Sequence, residues 1–202
     1  MIDNYIKFSI IALCFIVAIG SYRFCYSKRD WAFLAAAMGF TLASDYFLVL
    51  VHNYRAGVFV FCFVHMIYIL RVSDNWEKSL MKIGATILGG WLAFVIFAFI
   101  PALPILDTLI VFAVVYAALF IQNIVAHIKL YQRDSGFPMV NRRLMLAGMI
   151  LFALCDIHVL MFNLPRFIPI SPAIAAWGYA WMWVFYAPSQ LLLSISAVKW
   201  EG

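Results

Sequence analysis

Trp31–Val51 reads WAFLAAAMGFTLASDYFLVLV, and Leu144–Asn163 reads LMLAGMILFALCDIHVLMFN. Each is long enough to cross the ~30 Å hydrocarbon layer as a helix, which takes about 20 residues. Each carries one acid, Asp45 or Asp156, inside an otherwise apolar run. A charged carboxylate there costs several kcal/mol unless it is protonated, paired or turned to a polar cavity, so intramembrane acids mark function more often than decoration. A small residue precedes each acid (Ser44, Cys155) and an asparagine follows (Asn53, Asn163).

The rest of the chain agrees with a membrane reading. Of 202 residues, 67% are hydrophobic and 11% charged, where soluble domains run nearer half apolar and a quarter charged. Mean hydropathy is +1.00. Seven apolar segments are expected to span, at about 5–25, 31–51, 57–72, 82–101, 105–128, 143–163 and 173–198. The fold expected is an all-α polytopic bundle forming one domain over 1–202. Segment Tyr5–Phe24 lacks a basic lead and a small-x-small cleavage site, so it reads as a retained helix rather than a signal peptide. The segment from Lys129 to Arg142 reads as a polar loop.

Charge gives the expected orientation. Of 14 Lys and Arg, eleven fall at one set of helix ends and the C-terminus, and three (Lys7, Arg55, Arg166) at the other. Positive charge in short loops stays in the cytoplasm. The N-terminus is expected outside and the C-terminus inside, which requires an odd number of spans. The net charge of +5 is therefore a topology signal and does not point to nucleic acid. A helical span also points to a plasma or inner membrane rather than an outer-membrane barrel. Helices one to three and five to seven could be parallel repeats, with the glycine-bearing fourth as connector.

Helical rise of ~1.5 Å per residue puts Asp45 roughly 9 Å, Asp156 roughly 10 Å and His65 roughly 12 Å below the outer boundary. The three can share one layer if their helices are neighbours. Tyr68 is on the face of His65, and Tyr186 and Gln190 share a face of the last helix. Pro188 between them removes a backbone donor and should bend that helix. Simpler readings exist. His65 could be a satisfied core histidine, and Tyr186 and Gln190 could be interhelical glue. Tyr22, Trp31, Trp76, Trp177, Trp181 and Trp183 suit interfacial anchoring. His52 and His127, near expected helix ends, read as solvated, and His158 points away from Asp156. Asp107 suits a helix start. The four cysteines read as small packing residues.

In chain order the motifs are Ala43-Ser44-Asp45, Gly57-x₃-Phe61-x₃-His65-x₂-Tyr68, Phe152-x₂-Cys155-Asp156 and Tyr186-Ala-x₂-Gln190. Together, over residues 39 to 190, they resemble the YhhN-like lysoplasmalogenase family. Departures are Ser44 where that family usually has glycine, Cys155 where serine is usual, Ala187 and Ser189 within the last motif, and seven expected helices where eight are usual.

The resemblance implies hydrolysis of the vinyl ether of a lysophospholipid, a lysoplasmalogen, to a fatty aldehyde and a glycerophospho-headgroup, without a cofactor or metal. It implies Asp45, Asp156 and His65 as catalytic residues. Tyr68, Tyr186, Gln190, Ser44 and Asn53 would contact substrate or water. The chemistry needs one protonated acid and a second carboxylate, as in glycosidases. Other readings remain open at this point. The paired acids also suit a small proton-coupled transporter or a lipid-binding protein. A metal-dependent hydrolase using Asp45, His65 and Asp156 lacks any HxxxH or HExxH support. A retinal protein would need a lysine deep in the last helix, and Lys199 lies at its end.

Overall fold

The computed structural model of the chain describes residues 2–98, 108–133, 136–166, 169 and 171–200. They form seven α-helices: α1 Ile2–Gly20, α2 Lys28–Asp45, α3 Tyr54–Arg71, α4 Trp76–Ala98, α5 Thr108–Gln132, α6 Met139–Asn163 and α7 Pro172–Ser194. Among the described residues there is no strand, only an isolated bridge between Cys25 and Val198. Asp107 and part of the expected polar loop lie outside the described residues.

Local chemistry sets the helix starts. Ser27 caps α2, its hydroxyl accepting from the Asp30 amide at 3.4 Å. Asn53 caps α3, its side-chain oxygen accepting from Ala56 N at 3.1 Å. Ser171 caps α7 ahead of Pro172, whose fixed φ suits the first helical turn. The expected loop from Lys129 to Arg142 is shorter than its polarity suggested. Helix α5 runs on to Gln132 and α6 begins at Met139, because Lys, Arg and Gln are good helix formers where nothing breaks the chain.

Six of the helices, α1 to α6, are apolar and long enough to cross a membrane. Helix α7 has the length, at 23 residues, but Trp177, Trp181 and Trp183 with Pro188, Ser189 and Gln190 lower its hydropathy. The outer surface is greasy. Leu13, Ile16, Trp91, Ile96 and Ile121 are each at least 60% exposed, as lipid-facing side chains are.

Six helices close a ring. α1 packs on α2, α2 on α3, α3 on α5, α5 on α6, α6 on α7, and α7 returns to α1. Helix α4 stands outside, against α5 and α3. It is tied there by Gln122 Nε2 donating to Thr86 Oγ1 at 2.5 Å. The α6–α7 pair is the most extensive contact, and a glycine permits it. A Cβ at Gly178 would meet the His158 carbonyl oxygen at 2.6 Å and the Phe162 nitrogen at 2.7 Å.

The regular winding of α2 stops at Asp45. Tyr46–Leu50 continue as a π-helix, with Val51 N bonding back to the Tyr46 carbonyl at 3.0 Å. Such wide turns are rare and concentrate at functional sites.

One end of the ring is knotted by charge. Asp30 and Arg71 form a buried bidentate pair, with both Nε and Nη2 donating at 2.7 Å. Arg71 Nη1 also donates to Ser196 Oγ at 2.9 Å. Lys199 N donates to the Phe24 carbonyl at 2.7 Å and Tyr26 N to that of Ala197 at 3.1 Å, stitching the chain's last residues onto its first helical turn-around. Arg133 pairs with Asp74 beside them. We call this the basic end.

Candidate active site

The ring interior holds two acid–tyrosine pairs. Asp45, only 3% exposed, accepts from the Tyr186 hydroxyl on α7 at 2.7 Å. Asp156 on α6, half-buried, accepts from the Tyr116 hydroxyl on α5 at 2.5 Å. Each pair joins two helices of the ring. Bonds from hydroxyl donors to carboxylate oxygens are the short, strong kind.

One aromatic cluster borders both pairs. The Phe152 ring lies 5.6 Å from Tyr186 and 5.6 Å from His65. The His65 ring lies 4.8 Å from Tyr116 and stacks on Phe120 at 4.6 Å. The Phe61 ring is 6.0 Å from Tyr116 and 5.8 Å from Phe152. Asp45, His65 and Asp156 thus gather around one centre. The helical stripes explain why. Phe61, His65 and Tyr68 recur every three or four residues on α3, as do Tyr116, Phe120, Asn123 and His127 on α5, Phe152 and Asp156 on α6, and Tyr186 and Gln190 on α7. That spacing keeps each set on one helix face.

His65 is fully enclosed. Its Nδ1 lies 3.1 Å from Asn123 Nδ2. With the amide donating, the neutral ring carries its proton on Nε2, and that atom has no partner among the described residues. Gln190, also fully enclosed, has both side-chain polar atoms unpartnered, as does Ser189 Oγ beside it. Pro188 sits inside the continuous α7 helix, where the missing amide frees a carbonyl one turn back.

The other sequence-derived candidates sit elsewhere. Ser44 donates to the Gly57 carbonyl at 2.6 Å, joining α2 to α3. Asn53 is an exposed helix cap. Tyr68 is buried one turn toward the basic end, its hydroxyl on Met38 Sδ at 3.6 Å. Among the described residues, none of these three side chains hydrogen-bonds to either acid pair. His127, read from sequence as solvated, is fully enclosed, because α5 extends a further turn beyond it. Its Nδ1 donates to the Asn123 carbonyl at 2.9 Å. His158 stacks on Trp177 and leans on Phe185, away from Asp156.

Tyr116 and Asn123 escaped the sequence reading. The signal available was their spacing of seven residues, two helical turns, on one face of a span. Among the described residues, no three His, Cys, Asp or Glu side chains group as a metal-binding set.

The family model described as the YhhN family matches residues 4–197. Neither curated proteins nor solved structures gave a match to the chain.

Proposed function

The chain belongs to the YhhN family, and from that premise we propose that it is an intramembrane hydrolase cleaving the vinyl ether of lysoplasmalogens. The observation that carries this reading is the pair of carboxyls, each held by a tyrosine hydroxyl, facing one His65-centred cluster inside the ring. In this reading all seven helices span, with the N-terminus outside and the basic end in the cytoplasm. The substrate's alkenyl chain enters among the apolar helices and its headgroup stays at the outer boundary.

The half-buried Asp156 is the acid. It gives a proton to the β-carbon of the vinyl ether, and the π-electrons that take up that proton leave an oxocarbenium ion at the carbon bearing oxygen. The enclosed Asp45 is the base. It takes a proton from a water held by Gln190 and oriented by His65, while the water oxygen bonds to the cationic carbon. The product is a hemiacetal. Its C–O bond to glycerol then breaks, the hydroxyl proton leaves to one carboxyl, and the glycerol oxygen receives a proton from the other. The sum is one water consumed, one fatty aldehyde and one glycerophospho-headgroup released. Tyr186 stabilises the ionised base through its donated bond. The division of labour follows the logic of two-carboxylate glycosidases.

The test is aldehyde release from a lysoplasmalogen by purified wild type, Asp45→Asn and Asp156→Asn. Wild type should turn over and both variants should lose activity while staying folded. Azide should bond to the oxocarbenium carbon in Asp45→Asn in place of water, giving an α-azido ether read by mass spectrometry, and Asp156→Asn, which forms no oxocarbenium ion, should give no adduct. Wild type that releases no aldehyde, yet moves a solute with protons, would replace the hydrolase with a transporter using the same acids.

A further inference from the structure

The reaction proposed above consumes one water per turnover in a site walled by hydrocarbon, and the lipid occupies the way in from the bilayer. The structure carries a separate polar route. From the acid layer toward the basic end, half-buried and then buried polar side chains follow one another down the ring interior. Tyr116 bonds Asp156 at 2.5 Å and its ring lies 4.8 Å from that of His65. His65 meets Asn123 at 3.1 Å. Asn123 passes its backbone carbonyl to His127 at 2.9 Å. The His127 ring is 6.3 Å from that of Tyr68. Arg71 follows Tyr68 by three residues on the same face of α3. Arg71 and Asp30 in turn line a cavity of about 690 Å³ that opens at the basic end.

The column is not self-satisfied. His65 Nε2, Asn123 Oδ1, His127 Nε2 and both polar atoms of Gln190 have no partner among the described residues. All four residues are 0% exposed. Folded proteins leave few such atoms bare, because a buried polar group without a partner loses its hydration and gains nothing in return. Buried polar groups that lack protein partners are where internal water resides, typically with 2–4 bonds each. The open atoms also match in kind. With Asn123 donating to His65 as above, His65 Nε2 offers a proton and His127 Nε2 a lone pair, which is what a bridging water requires.

We infer that the stripe His65–Asn123–His127, leading to the Arg71–Asp30 cavity, is a water-binding column that supplies the reacting water from the basic end. It is a second entrance, chemically opposite to the lipid's. Its use in hydrolysis rests on the reading given under Proposed function, but the column itself is tested without substrate.

Radiolytic hydroxyl labelling of the full-length protein in detergent oxidises side chains that touch water. Met149 Sδ lies 3.5 Å from Asn123 Nδ2 and Met38 Sδ holds the Tyr68 hydroxyl; both residues are 0% exposed. Met145 is equally enclosed but packs against Val72 and Leu130 in an apolar cluster, so it reports a dry interior. Met149 and Met38 should oxidise several-fold faster than Met145. His127→Leu should bring Met149 down toward Met145, lower kcat several-fold and leave KM unchanged. His127→Gln, which keeps a polar tip, should restore both. Equal rates at all three methionines in the wild type overturn the column, whatever the variants do. Fast labelling at Met149 in a protein that releases no aldehyde keeps the column and overturns the hydrolase reading instead.

Discussion

Tyr186→Phe deletes a single oxygen atom from the enclosed side of the site. The ring's packing against Phe152 at 5.6 Å and Trp183 at 5.3 Å is kept, so the helix contacts survive. What is lost is the donor 2.7 Å from Asp45. A hydrogen bond to a charged group is worth about 1.5–3 kcal/mol. Asp45 has no other hydrogen-bond donor described to replace it, and it is 3% exposed, so water compensates little. If Asp45 must be ionised to take the water's proton, the whole of that stabilisation is withdrawn from the reacting form. At about 1.4 kcal/mol per decade, kcat should fall roughly 10- to 150-fold. The assay is aldehyde release by detergent-purified protein under saturating lysoplasmalogen, with folding checked by thermal unfolding. The partner experiment is Tyr116→Phe. That tyrosine also donates to a carboxyl, but to Asp156, the group proposed as the acid, which in that role works protonated. Its loss should leave the rate unchanged or raise it. A Tyr186→Phe enzyme with wild-type kcat refutes the assignment of Asp45 as base, and a reversed pattern exchanges the two acids.

The remaining predictions concern the frame. Arg71→Met should destabilise by about 3–5 kcal/mol, since it strands Asp30 as an unpaired buried charge, and Asp30→Leu added to it should recover much of the loss; unfolding in denaturant measures both. Gly178→Ala should cost about 1–3 kcal/mol, because the new methyl meets backbone atoms of α6 at 2.6 and 2.7 Å that cannot rotate away, and thermal unfolding reads it directly. Asn53→Ala should cost about 1 kcal/mol as a lost helix cap while KM for lysoplasmalogen stays unchanged; a raised KM would instead return Asn53 to the substrate.

What the sequence disclosed and what it hid divide along physical lines. Asp45 and Asp156 were legible because the bilayer makes an acid expensive wherever it sits in a span, so its presence alone carries information. Tyr116 was not, since a tyrosine inside VVYAALF is ordinary; only its hydroxyl's reach to Asp156 gives it a role. Arg71 was read as a topology charge, and it does sit at the last residue of α3. The same guanidinium is also buried against Asp30, a pairing between positions 41 apart that no local pattern encodes. His127 was misplaced by a boundary. A helix expected to stop at 128 continued to Gln132, turning a solvated end into an interior position. The seven helices were found in order; the π turn after Asp45 interrupts the regular winding, and nothing in Tyr46–Leu50 announces it.

The ring's closure has a consequence for synthesis. Asp45 and Tyr186 are 141 positions apart, and Arg71 waits 125 for Ser196. At about 5–20 residues per second, roughly 7 to 28 s separate the moment α2 leaves the ribosome from the moment its tyrosine does. Through that interval the acid sits in a nascent segment with no hydroxyl to meet it. Early helices must therefore loiter beside the insertion machinery until α7 arrives to shut the circle, and a chain cut short before Tyr186 should be an early target for membrane quality control.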